Sequence, residues 1–122
     1  MADSVAGAAV SLASRVTARA IVVYTAAGRS AQRLAARRPD IPVVAFTPDD
    51  EVYRQLALTW GVESILLERV ASTDEMLVAI DAAVVDHGIA RAGERVVLVA
   101  GTPVGADQAI NTVRVHTVGQ LG

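Results

Sequence analysis

The sequence predicts an α/β fold of three layers, α/β/α, around a five-stranded, mostly parallel mixed sheet whose last strand is antiparallel. Three observations carry this. Short β-branched runs alternate with helical patterns, and repeated αβ units require a mainly parallel sheet covered on both faces. The chain is 52% hydrophobic but only 3% aromatic, so its core must be built from Ala, Val, Ile and Leu. The connection between the last two strands is too short for a crossover helix, so they must pair antiparallel. With 122 residues the chain reads as a single domain, residues 1–122, long enough to bury a core.

Each element has its own signal. Residues 3–17 place Val5, Ala8, Ala9, Leu12, Ala13 and Val16 at helical spacing, with Asp3 or Ser4 as cap. Ala20–Tyr24 is a continuous apolar run, the mark of a strand buried on both faces. A helix from Ser30 to Arg38 stops at Pro39, and Arg37 and Arg38 suit its negative end. Ile41–Phe46 is the second strand. Thr47-Pro48-Asp49-Asp50 has the order of a helix start, with threonine as cap and proline first, and that helix runs to Trp60 and ends at a left-handed Gly61. Val62–Leu67 is the third strand. Ser72-Thr73-Asp74-Glu75 is a capping box, opening a helix that ends near 88–92. Ala92-Gly93-Glu94 turns into a fourth strand, Val96–Ala100, and Asn111–Val118 is the fifth.

Composition removes several classes of chemistry. There is no cysteine, hence no disulfide, thiolate nucleophile or cysteine metal site. His87 and His116 lie far apart with no HxxxH or HExxH spacing, so no metal site is expected. All eleven basic residues are arginine, as GC-rich coding favours, which excludes any lysine-dependent step from this chain. A net charge of −2 gives no reason to expect nucleic acid or an anionic membrane as partner. No apolar run reaches transmembrane length, and the start has no basic region before an apolar block, so a soluble, cytoplasmic protein is expected.

One stretch points to a ligand. Thr25-Ala26-Ala27-Gly28-Arg29-Ser30 follows the first strand and opens a helix. The first N–H groups of a helix lack partners and its dipole favours negative charge there, so a glycine turn at this point can cradle a phosphate. If strands one to three wind one way, strand four must return beside strand one, and ligands of such sheets bind where the winding reverses. The crevice then lies between Thr25–Ser30 and the loop Gly101-Thr102-Pro103-Val104-Gly105, which continues to Gln108. Neither loop matches a Walker A or dinucleotide fingerprint. Asp49-Asp50-Glu51 is better explained as acids at a helix start than as paired catalytic carboxylates. Trp60 reads as a core or interface anchor, His87 as a helix C-terminal residue, and His116 as one face of the final strand. No Ser/His/Asp nucleophile arrangement is present, and no catalytic residue is assigned.

The order AIVVYTAAGRSAQRLAARRPDIPVVAFTPDDEVYRQLALTWGV resembles the C-terminal domain of pyruvate kinase. That family has a strand ending in T-x-x-G-R-[ST]-A, a helix ending at R-P, and a following P-[IVL]-[IVL]-A-[FV]-T strand. The stretch GERVVLVAGTPVGADQAINTVRVHTVG resembles its last hairpin, with an N-T-x-R-V ending. The similarity spans roughly residues 4 to 119.

The resemblance implies a regulatory domain that binds a phosphorylated effector and carries no catalysis. It implies that the turn Thr25–Ser30 holds the effector phosphate through hydroxyls and amides while Gly101–Gly105 covers it. It also implies a catalytic barrel in the same polypeptide, transferring phosphoryl from phosphoenolpyruvate to ADP with Mg²⁺ and K⁺, and a homotetramer. No cofactor is expected in this domain. The chain departs from the pattern at Ala26 and Ala27, where many relatives carry a lysine or acid and then serine. A lost serine donor costs about 1–3 kcal/mol of phosphate binding. The stretch VASTDEMLV, residues 70–78, lacks the Trp and Arg used by relatives that bind fructose 1,6-bisphosphate, so a monophosphate such as a sugar phosphate or AMP is expected. A purely structural subunit-interface domain, or a free-standing small-molecule sensor on the same fold, are the alternatives.

Overall fold

A computed structural model describes residues 2–25, 28–100 and 112–120 of the chain. Its elements run α1 (Ala2–Arg15), β1 (Ile21–Tyr24), α2 (Arg29–Ala36), β2 (Val43–Thr47), α3 (Asp50–Ala57), β3 (Val62–Leu66), α4 (Thr73–Asp86), β4 (Arg95–Ala100) and β5 (Thr112–Thr117). The predicted order of elements is therefore the observed one.

The five strands form one sheet in the order β3-β2-β1-β4-β5. β1 pairs parallel with β2 and β4, β2 pairs parallel with β3, and β5 runs antiparallel to β4. Alternate strand residues supply two cores. Ile21, Val23, Val43, Ala45, Val97 and Val99 pack under α1, α2 and α3, against Ala6, Ala9, Ala13, Leu34 and Leu56. Val22, Val44, Phe46, Val96 and Leu98 pack on the other face against Met76, Leu77, Ile80 and Val84 of α4. Burial on both faces is why β1, β2 and β4 read as unbroken apolar runs. The small side chains of α1 let it lie close to the sheet.

Four local expectations fail for physical reasons. α1 begins at Ala2, so Asp3 and Ser4 lie within the helix and not before it. α2 stops two residues early: Arg37 caps it, and Arg38, next to Pro39, leaves the helix in a left-handed conformation at φ 48°. Thr47 is the last residue of β2, opposite Leu66, and so is committed to the sheet. Asp49 caps α3 instead, its Oδ1 accepting the N–H groups of Glu51 and Val52 at 2.9 and 3.0 Å. α3 also ends at Ala57 with Leu58 as cap, leaving Gly61 left-handed at φ 83° in the loop that follows. The Ser72 cap holds as predicted, its Oγ accepting Glu75 N–H at 3.1 Å, while the Glu75 carboxylate reaches back to Ala71 N–H at 2.9 Å.

Candidate phosphate-binding turn

The strand order fixes where a ligand site belongs. β2 and β4 flank β1, so the winding reverses there, and the carboxyl ends of β1 and β4 border the crevice of an open parallel sheet. Val23 pairs with Val99, which brings the ends of these strands side by side. The turn Thr25–Ser30 leaves from the first of them. Residues 101–111, including Gly101, Thr102, Pro103, Val104 and Gly105, leave from the second. Those residues, and Ala26 and Ala27 in the first turn, lie outside the described residues.

Thr25 is buried and ties the turn at both levels. Its N–H donates to the carbonyl of Phe46 at 2.9 Å, extending the β1–β2 pairing by one residue. Its Oγ1 accepts the N–H of Gly28 at 2.8 Å, closing the turn across three residues. Gly28 sits at φ 86° and caps α2. Two constraints require glycine here. A side chain is strained at that φ, and a Cβ would stand 3.3 Å from Cγ1 of Val52 and 3.4 Å from Cδ2 of Leu56. Gly28 is therefore close-packed beside α3 and tied to Thr25 at the end of β1, while Arg29 stands exposed and Ser30 half-exposed at the start of α2.

This helix start differs from the two that follow parallel strands elsewhere in the sheet. α3 begins with Asp49 as cap and Asp50 and Glu51 in its first turn. α4 begins with Ser72 as cap and Asp74 and Glu75 in its first turn. α2 has no acid in its first turn and an arginine as its first residue. Its N-terminal dipole is thus left without a carboxylate, and the local charge attracts an anion. The residues offer donors and positive charge. Backbone donors beside a positive charge are the groups that receive an anion.

The model of the family "Pyruvate kinase, alpha/beta domain" matches residues 3–116. The chain belongs to this family. It is 38% identical over 109 residues to a pyruvate kinase of Corynebacterium efficiens, covering 89% of this chain and 23% of that protein. It is 36% identical over 113 residues to a pyruvate kinase of Mycobacterium tuberculosis, covering 93% of this chain and 24% of that protein. A pyruvate kinase of Geobacillus stearothermophilus is 39% identical over 120 residues, covering 98% of this chain and 20% of that protein. A crystal structure of a pyruvate kinase from Cryptosporidium parvum superimposes with a TM-score of 0.84 at 22% identity, covering 96% of this chain and 22% of that one, and shares the fold. The pyruvate kinase domain described here thus spans about a quarter of the length of such relatives, or less.

Elsewhere in this pyruvate kinase domain the remaining candidates resolve into structural roles. His87 is the C-cap of α4, as expected of its position. Trp60 is no core residue: it is 73% exposed and its ring lies 5.1 Å from the Arg38 guanidinium carbon. His116 is the last polar group of the sheet to be buried, and its partner was not visible in the pattern. Its Nε2 lies 2.7 Å from Oδ1 of Asp81 on α4, and the same oxygen accepts Gly119 N–H at 2.8 Å. Burial raises the pKa of the Asp81 carboxyl, but the Gly119 and His116 bonds outweigh it and hold the carboxyl below its ordinary value. Asp81 stands one helical turn past Leu77, so only a polar residue interrupting the buried stripe of α4 signals it. Among the described residues no three His, Asp or Glu side chains gather as metal ligands would, and no helix is long and apolar enough to cross a membrane.

Proposed function

We propose that this domain is the regulatory, effector-binding part of a pyruvate kinase, holding the phosphate of a small molecule at Thr25–Ser30. One observation carries the reading. The only one of the three helix starts after parallel strands without an acid is the one at the reversal of the sheet. Membership of the pyruvate kinase family adds the T-x-x-G-R-S-A turn at the same place. The phosphate is received by amide groups at the start of α2 and by Arg29, with Ser30 as hydroxyl donor. Gly101–Gly105 covers it from the β4 side. With Ala26 and Ala27 in the turn, the ligand is a monophosphate such as a sugar phosphate or AMP.

Within an intact polypeptide, the reaction converts phosphoenolpyruvate and ADP to pyruvate and ATP on a separate barrel, with Mg²⁺ and K⁺, in a cytoplasmic homotetramer. The domain itself contributes regulation and no reacting group. Isothermal titration with AMP, glucose 6-phosphate, ribose 5-phosphate and fructose 1,6-bisphosphate tests this. Saturable binding of a monophosphate, weakened at least tenfold by Arg29→Ala, supports it. Absence of binding by all four, to the domain and to the intact polypeptide, removes it.

A structural role is the second reading, favoured by Leu58 at 91% exposure beside Trp60. Both stand at the amino end of β3, away from the turn. If the domain serves only to hold subunits or domains together, Leu58→Ser with Trp60→Ser lowers the assembled fraction in sedimentation while no phosphate ligand is bound.

A further inference from the structure

We propose that β5 is a strap that parts from the sheet as one unit, with the Asp81 carboxylate as its latch. The strands differ in how they are held. β1, β2 and β4 send buried side chains into both cores, whereas β5 buries only His116 along its six residues. Val118, just past its end, is buried in the cluster beneath α4, and Val113 is half-buried on the other face. α4 packs mainly on residues of the other four strands, among them Val22, Phe46, Ile65 and Leu98. Lifting β5 away therefore withdraws two valines and leaves both cores otherwise in place. β3, the other edge strand, also buries one residue, Ile65. It is joined at both ends to helices packed on the sheet, and its Ser64 Oγ donates to the Tyr53 carbonyl of α3 at 3.0 Å.

Besides its pairing with β4, the hold on β5 is concentrated at its last turn. Nε2 of His116 lies 2.7 Å from Oδ1 of Asp81, and Gly119 N–H donates to the same oxygen at 2.8 Å. One carboxylate oxygen on α4 thus grips both the strand and the turn after it, and bonds to an ionised acceptor are the stronger kind. Asp81 and His116 are both buried between α4 and the sheet, so the latch does not depend on what meets the outer surface of the domain. Glu94, opposite Val118, is committed elsewhere: its carbonyl accepts Val118 N–H at 2.8 Å, and its carboxylate is taken by Arg91 N–H and the Arg19 guanidinium. An edge strand whose buried contacts gather at one end opens at lower free energy than the strands inside the sheet. Thr112 pairs with Ala100 and Thr117 with Arg95, so the parting of β5 bares the outer edge of β4 along its whole length, up to the crevice.

The test is amide hydrogen exchange of the ¹⁵N-labelled chain at pH 7. In the wild type, the β5 amides that pair with β4 and the amides of Val118 and Gly119 should exchange as one group. They should be protected about tenfold less, or lower still, than the amides of Ile21 and Val97, which donate to Pro42 and Ala20 inside the sheet. Asp81→Asn lowers protection of the β5 group by a further factor of about ten or more. His116→Gln, which keeps an N–H donor, lowers it less and serves if Asp81→Asn does not fold. Ile21→Val does the opposite: Ile21 keeps its contacts when β5 parts, so protection falls for Val97 and stays unchanged for β5. Exchange of β5 no faster than that of Val97 in the wild type overturns the proposal. So does β5 protection that falls with Ile21→Val as far as that of Val97, or that the Asp81 and His116 variants leave unmoved.

Discussion

α2 and α4 lie on opposite faces of one sheet and follow two of its parallel strands, β1 and β3, yet they settle their polar groups in opposite ways. α4 is closed on itself. Ser72 caps it, Glu75 returns a carboxylate to the chain before it, and Asp81 in its middle receives His116 and Gly119. α2 opens with a left-handed glycine and an arginine, and no acid answers its dipole. Its start is fastened from beneath, where Thr25 Oγ1 accepts Gly28 N–H. A helix that satisfies its own polar groups is a scaffold, whereas one that leaves its positive end open can reward an incoming anion. The difference accords with the proposed roles, α4 as part of the scaffold and the start of α2 as the place that receives a phosphate.

Breaking the α4 side has the largest expected effect. Asp81→Ala leaves a buried histidine and a backbone N–H without their acceptor, a loss of about 3–5 kcal/mol. Urea unfolding at pH 7 measures it. The contribution also has a defined pH dependence. The Asp81 carboxyl is held below its ordinary pKa of 3.8 in the folded chain. Its stabilisation is therefore complete above 3.8 and is lost as pH falls through the lower folded value. Wild-type stability should decline across that acid range by more than the stability of Asp81→Asn does. Equal declines would show that the carboxylate is not the group being titrated.

Gly28→Ala comes next, at about 2–3 kcal/mol, since it combines a left-handed alanine with a Cβ pushed against Val52 and Leu56. Because the turn must shift away from α3, ligand affinity should fall together with stability. Ser72→Ala breaks the α4 cap and should cost about 1 kcal/mol with no change in affinity for any phosphate. If Ser72→Ala changed phosphate binding, recognition would not be confined to α2.

The fold was legible because the central strands of the sheet are buried on both faces. Continuous Val and Ile runs announce β1, β2 and β4, and a short last connection announces the antiparallel β5. Helix ends were less legible where two structures compete for one residue. Thr47 carries a good capping side chain, but the pairing of β2 with β3 claims its backbone first. Trp60 is large and apolar, yet it lies on the rim with Arg38 because the loop after α3 turns outward at Leu58. The start of α2 could be found from Gly28 and Arg29, which are local. The Asp81–His116 contact could not, since it joins residues 35 apart in sequence across two elements with no shared periodicity.

The smallest effect on stability tests the comparison most directly. Arg29→Glu gives α2 the acidic first turn that α3 and α4 already have. If the open dipole is the cost of keeping an anion site, the substitution should stabilise the unliganded domain by about 0.3–1 kcal/mol. Arg29 is exposed and forms no ion pair with any described residue, so nothing else is expected to offset that gain. The same change should abolish binding of a phosphate monoester, because a carboxylate then occupies the field the ligand needs. Thermal unfolding with and without AMP or glucose 6-phosphate reads both effects in one experiment. A gain in stability with loss of ligand response would mean that the domain gives up fold energy at α2 to leave room for an effector. A variant that loses stability, or responds to ligand as wild type does, would place the anion elsewhere and remove the distinction between the two helices.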